Sequence, residues 1–193
     1  MASPDGFPWT TVARHYSSKT GAWNASAHLG IDSRVMKPSA LVVGNDIYFQ
    51  VSLNEVVILR YHIETNCLSA IHPPRTHVNI GDFGLLSMGD GLLGLAGIMG
   101  SRICMWSMKV NPEGIAGWVR RRDIEIVTGI PSIPCSKARV IASEDGMGII
   151  FVVTYVGLFM VDLKSGRKRK VDDDGNYFSI SPFMSFYTPG QAN

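Results

Sequence analysis

Cysteine is scarce and oddly placed: the chain has three, Cys67, Cys104 and Cys135, and no Cys-x-x-Cys pair. An odd number at wide spacing excludes a disulfide framework and the paired-cysteine arm of a zinc site. Reduced thiols point to the cytosol or the nucleus. Net charge is small as well, formally +2, so no global field steers the molecule toward nucleic acid or an anionic membrane. A basic contact has to be local. No apolar run is long enough to span a bilayer, since the longest, Met147 to Val161, is broken by Gly148, Thr154 and Gly157. The first residues lack the basic-then-apolar order of a secretory signal, which leaves Asn24-Ala25-Ser26 without an expected use as a glycosylation site. Helical periodicity of useful length is missing throughout. Also missing are a Gly-x-Ser-x-Gly elbow, a His-Glu-x-x-His pair and a phosphate loop, so no enzyme class is indicated. No cofactor is expected.

What is present is a period of two. Phe159, Val161 and Leu163 share one strand face and Asp162 and Lys164 the other, the pattern of a half-buried strand. The same leg occurs at Leu59, Tyr61 and Ile63 against Arg60, His62 and Glu64, and again at Cys104, Trp106 and Met108 against Ser107 and Lys109. In the outer copies a polar turn comes at the same offset, Glu64-Thr65-Asn66 and Lys164-Ser165-Gly166. The strand–turn–strand grammar of Thr11 to Trp23 returns at Met105 to Val127, and Ala40 to Val51 pairs back through Val56 to Ile63 before a short strand, Cys67 to Ile71. Further units start near Leu85 and Val140. Spacings of 45 and 55 between equivalent positions are close to the range of propeller blades, about 40–50 residues each. The expectation is an all-β, propeller-like fold of antiparallel four-stranded blades. The chain holds about three such units plus a partial one at the start, fewer than most closed rings need.

Four groups of residues invite a chemical reading. Gly89-Asp90-Gly91-Leu92-Leu93-Gly94 matches a dinucleotide fingerprint on paper, but Leu95 to Gly100, immediately after it, reads as a glycine-rich strand and not as the helix that pyrophosphate binding requires. A hairpin turn is expected there. Cys67, His72 and His77 offer three metal-type ligands at unusual spacing with prolines between the histidines; a structural zinc site takes four, and a buried thiol with two loop histidines is the plainer expectation. Acidic residues such as Asp46, Asp90, Glu144 and Asp145 read as turn residues bonded to nearby backbone. Two basic runs remain, Arg120-Arg121-Arg122 and Arg167-Lys168-Arg169-Lys170, the second succeeded by Val171 and Asp172-Asp173-Asp174. Arg167, Lys168, Arg169 and Lys170 fit a nuclear import signal or a basic patch. The plainer expectation is a solvated hairpin strand, charged on an edge against pairing with other chains.

Taken in order, several motifs resemble the F-box-associated β-propeller domain of grass and other plant F-box proteins. They are Ala40 to Phe49, Leu59 to Thr65, Gly89 to Leu95, Met105-Trp106-Ser107, Gly114 to Arg121, Phe159 to Gly166 and Phe186-Tyr187-Thr188-Pro189. The resemblance implies one domain over residues 1–193, the C-terminal portion of such a propeller. It implies a non-enzymatic protein-interaction module that recognises substrates for an SCF-type ubiquitin ligase, with a protein substrate as partner. Contact with a Skp1-type adaptor is expected only where an F-box precedes the propeller. The family has no shared catalytic residues to carry over. A nuclear nucleic-acid binder using residues 164–170, or an enzyme on a propeller scaffold, stands as the alternative.

Overall fold

A computed structural model describes residues 10–31, 34–35, 40–52, 56–74, 83–88, 90–99, 102–113, 116–125, 138–144, 148–177 and 180. Among the described residues every regular element is a strand, and all pairings are antiparallel. No described helix is long and apolar enough to cross a membrane.

The first unit is a hairpin interrupted near its middle. β1 (Thr11–Ala13) pairs β4 (Ala27–Leu29), and β2 (Tyr16–Ser17) pairs β3 (Ala22–Trp23). The first leg of the strand–turn–strand pattern, from Thr11 to Tyr16, is not one continuous strand. It breaks at Arg14 and His15, where the His15 N–H donates to Asn24 Oδ1 at 2.7 Å instead of to a ladder carbonyl.

The second blade orders β5 (Arg34–Val35), β7 (Asp46–Ser52), β8 (Val56–His62) and β9 (Cys67–Ile71), with β6 (Leu41–Val43) also on β7. Its inner position is shared between β5 and β6, which pair opposite ends of β7. Between those two segments lies Gln50, 2% exposed, with its side-chain nitrogen unpartnered among the described residues. The third blade is β10 (Gly84–Ser87), β11 (Leu93–Met99), β12 (Arg102–Val110) and β13 (Ala116–Glu125). The fourth is β14 (Arg139–Glu144), β15 (Ile149–Thr154), β16 (Gly157–Asp162) and β17 (Lys168–Asp172). These are blades in meander order, and the fold is all-β with the blade architecture of a partial propeller.

The core lies between the sheets and not inside any one of them. Val51, Val57 and Leu59 of the second blade meet Leu29 and Ile31 of the first unit. The opposite face, Leu41, Tyr48, Val56 and Ile58, meets Leu93, Leu95, Cys104 and Trp106. Ala96, Ile98, Ile103 and Met105 then meet Val140, Ile150, Val152, Phe159 and Val161. Burying each such aliphatic side chain contributes about 1.5–3 kcal/mol. Because a blade packs on both neighbours, the middles of the central strands β8, β11, β12, β15 and β16 are apolar on both faces, and alternation survives there only toward the strand ends. That corrects the expectation for Ser107, assigned to an outward polar face. It is 0% exposed, and its hydroxyl accepts from Arg121 Nε at 2.6 Å. The seam between the third and fourth blades is close enough that Gly84 admits no larger residue without movement: a Cβ there would sit 2.5 Å from Val140 Cγ1.

The outer parts of successive units are also tied by polar contacts. Tyr61 OH on the second blade joins His15 Nδ1 at 2.6 Å, and Asn24 Nδ2 donates to it at 2.9 Å. Asn66 Nδ2 reaches back to Ala25 O at 3.0 Å. Trp118 Nε1 on the third blade donates to His72 O at 2.7 Å.

Candidate interaction surface

The run Arg167 to Lys170 lies on and just before β17, the last strand in the order of its sheet. Strand geometry sends its side chains to opposite faces. Lys168 and Lys170 share the side of their partners Val161 and Phe159, toward the third blade, while Arg169 shares the side of Met160. Lys170 Nζ stands 6.0 Å from the Phe159 ring centroid and is ion-paired with Asp173. Lys168 is half-buried. Burial lowers its ammonium below the usual lysine range, and Glu125 pulls the other way. Arg167, just before β17, and Arg169 on it are exposed, whereas Lys168 is half-buried.

The neighbouring blade extends this basic rim. Arg122 on β13 crosses the seam and donates from Nη1 to Leu163 O at 3.3 Å and Lys164 O at 3.1 Å. Its charge is met by carbonyl dipoles and not by a carboxylate. Beneath it Asp162 Oδ1 accepts from the backbone N–H of Lys164 at 2.7 Å and of Ser165 at 3.0 Å. Those bonds, Ser165 first, hold its carboxyl below the usual range. Asp172 is likewise lowered, chiefly by the hydroxyl of Tyr177. The acidic residues beside the rim are thus engaged in shaping their own turns. Arg122, Lys164, Arg167 and Arg169 form an exposed cationic edge with no carboxylate in an ion pair to any of them among the described residues.

The seam between the second and third blades holds two closed pairs. Asp46 was expected in a turn but lies on β7, and both its oxygens accept from Arg60, at 2.8 and 2.9 Å. Tyr48 donates to the same carboxylate at 3.2 Å. Burial first, then the Asp46 charge, pushes its phenol up to about 12. Arg120 brackets Asp123 with bonds of 3.1 and 2.6 Å and reaches Cys104 Sγ at 3.4 Å. Burial raises the Cys104 thiol, while Arg120 lowers the Asp123 carboxyl. Each carboxylate here is neutralised by a guanidinium of its own blade.

The remaining sequence candidates separate in space. Cys67 begins β9 and His72 follows its last residue, about 16 Å away along an extended strand, too far to share an ion; His77 lies outside the described residues. Cys67 is exposed and not buried as expected, because it begins an outer strand beside the turn; its thiol lies 3.5 Å from Thr65 O. No cluster of three His, Cys, Asp or Glu residues occurs among those described. Asp90 and Gly91 make the tight turn from β10 into β11, with Gly91 N–H on Met88 O at 2.9 Å. The turn leads into a strand, so no helix N-terminus is there to meet pyrophosphate. One surface feature escaped the reading of the sequence: Tyr16 and Trp23, paired across the first hairpin, leave their rings exposed. Their alternation with His15 and Asn24, which turn inward, was the available signal.

No curated protein matches the chain. A family model does, over residues 8–190, described as F-box protein AT5G49610-like, beta-propeller. That match spans all the described strands and agrees with the four-stranded sheets and the seams between them. The chain belongs to the F-box protein AT5G49610-like β-propeller family.

Proposed function

We propose that this propeller is the protein-capturing part of an SCF-type ubiquitin ligase receptor: it binds a protein substrate non-covalently and has no catalytic role of its own. The observation that carries this reading is the family match over residues 8–190. The exposed edge of Arg122, Lys164, Arg167 and Arg169 is the surface suited to such capture, because cations not already neutralised by carboxylates are available to a partner. On this reading contact with a Skp1-type adaptor belongs to an F-box on the same polypeptide, and the protein works in the cytosol or nucleus.

A chimera with a Skp1-binding F-box ahead of residue 1 tests the proposal in a reconstituted cullin ligase. Proteins that bind the 193-residue chain are expected to receive ubiquitin from the chimera, and excess free chain is expected to suppress the transfer. Transfer that is indifferent to the competing chain would overturn the reading.

A further inference from the structure

The turn from β16 to β17 is braced from two sides. Arg122 of the third blade donates to Leu163 O and Lys164 O of the fourth, and a Cβ added to Gly166 would lie 3.7 Å from Ile124 Cγ2 of that same third blade. From below, Asp162 Oδ1 accepts the N–H groups of Lys164 and Ser165. Arg122 at the seam, Lys164 in the turn and Arg167 just after it are therefore carried on a fixed backbone, and Arg169 follows on β17. Extended backbone separates Arg167 from Arg169 by about 7 Å. All four are exposed, and the nearby carboxylates are committed elsewhere: Asp162 to the turn, Asp172 to the Tyr177 hydroxyl, Asp173 to Lys170, Asp123 to Arg120 and Glu125 to Arg102.

We propose, resting on the capture role given above, that this edge takes a short acidic segment of the protein substrate, an extended stretch with carboxylates on alternate residues. Carboxylates at alternate positions of an extended peptide share one face and repeat at about 7 Å, the separation of Arg167 and Arg169. A guanidinium donates to both oxygens of a carboxylate in one plane, so each arginine can hold one acidic side chain. Because the turn beneath is already fixed, little ordering of the site opposes binding. A nucleic acid fits the same cations less well. Single strands are held by bases stacked on exposed aromatic rings, and the exposed rings among the described residues, Tyr16, Trp23 and Tyr155, stand on the first hairpin and beyond the other end of β16 from Lys164. A long polyanion also runs into Asp172, Asp173 and Asp174, all exposed, where the cationic edge ends. A short acidic segment stops before them.

The probe is a fluorescein-labelled peptide of alternating glutamate and serine, its binding to the 193-residue chain followed by fluorescence anisotropy. Binding is expected, and it is expected to weaken as salt rises. Arg167→Glu combined with Arg169→Glu is expected to weaken it about tenfold with an unchanged far-ultraviolet dichroism spectrum. Lys19→Glu combined with Lys109→Glu changes the net charge equally at exposed sites on the first hairpin and on β12, and is expected to leave the affinity nearly as it was. A wild-type chain that does not bind the peptide, or an equal loss in both double variants, would overturn the proposal. So would a single-stranded oligonucleotide of the same charge that binds more tightly than the peptide and is released by Arg167→Glu with Arg169→Glu, which would make the edge a nucleic-acid surface. If the peptide fails while the free chain still suppresses transfer by the chimera, the capture role stands and the acidic segment alone is refuted.

Discussion

Asn66 and Gly166 hold the same backbone conformation at the same place in two blades, with φ of 53° and 72°. Each ends the outer turn of its blade, and each turn is braced from below by the last residue of the preceding strand. His62 Nδ1 accepts from Thr65 N–H at 3.2 Å, as Asp162 Oδ1 accepts from Ser165 N–H at 3.0 Å. The left-handed region costs an L-residue about 1–2 kcal/mol, and glycine occupies it freely. Asn66 offsets that cost with bonds that glycine lacks, to Ala25 O and Tyr61 OH. Gly166→Ala is therefore expected to destabilise by about 1 kcal/mol through the backbone alone, since its Cβ would meet Ile124 Cγ2 at an ordinary 3.7 Å. Asn66→Gly is expected to lose about as much for the opposite reason, the side-chain bonds. Urea titrations of both variants measure this, and an Asn66→Gly variant more stable than wild type would contradict it.

The repeat of these turns was legible because polar turn residues and period-two legs leave a pattern at the ends of strands. The strand centres were less legible. Ser107 looked outward by alternation, yet the third blade is covered on both sides and the hydroxyl is buried against Arg121. Arg34–Val35 is too short to carry a period, so the split inner strand of the second blade went unread. The basic run was visible as four cations, but only the register of β17 on β16 sends Lys168 and Lys170 toward the third blade and Arg169 away from it. Arg122 joins that edge across 41 residues of sequence, a distance over which no spacing rule operates.

Tyr48 ties stability to alkaline pH. Its phenol is raised from 10.0 to about 12, so between those values the unfolded chain ionises while the folded one stays neutral. The stabilisation this group provides is complete below pH 10.0 and is lost as pH rises through about 12. Asp46→Asn removes a charge and an acceptor that both raise the phenol, and is expected to move its titration downward. Ultraviolet difference titration of the two proteins decides it, and an unchanged or higher midpoint in the variant would be the contrary result.

The two described thiols differ in access. Cys67 is exposed, whereas Cys104 is buried in the seam with its thiol raised by that burial, and the thiolate is the reactive form. In a Cys135→Ser background, a thiol reagent at neutral pH is expected to label Cys67 under native conditions and Cys104 only in denaturant. Peptide mapping by mass spectrometry reads this directly; rapid native labelling of Cys104 would mean that the seam between the second and third blades opens freely.

Gln50 is a polar side chain in an apolar seam, with a buried nitrogen that finds no partner among the described residues. An unsatisfied buried donor costs about 1–3 kcal/mol. Gln50→Met keeps the length and removes the donor, and is expected to raise stability by about 1 kcal/mol. A lower urea midpoint for the variant would show that the amide is bonded in solution.

The strongest test of the seams as the source of stability is the contact of Gly84 with Val140. The ideal Cβ of an alanine at 84 falls 2.5 Å from Val140 Cγ1 and 3.2 Å from its Cβ, and both strands are inner ones, β10 and β14. Neither can yield easily, because Val140 is fully buried among Leu86, Ala96 and Ile150. Gly84→Ala is expected to cost about 1–3 kcal/mol by overpacking. Val140→Ala is expected to cost about 2 kcal/mol as a truncation that leaves a void. Combined, the new methyl fills space that the valine vacates, so the double variant is expected to be more stable than the sum of the two losses by about 1 kcal/mol or more. A double-mutant cycle from denaturant midpoints measures that coupling. Strict additivity would mean that the third and fourth blades do not meet at this pair in solution, and that the seam which organises the fold lies elsewhere.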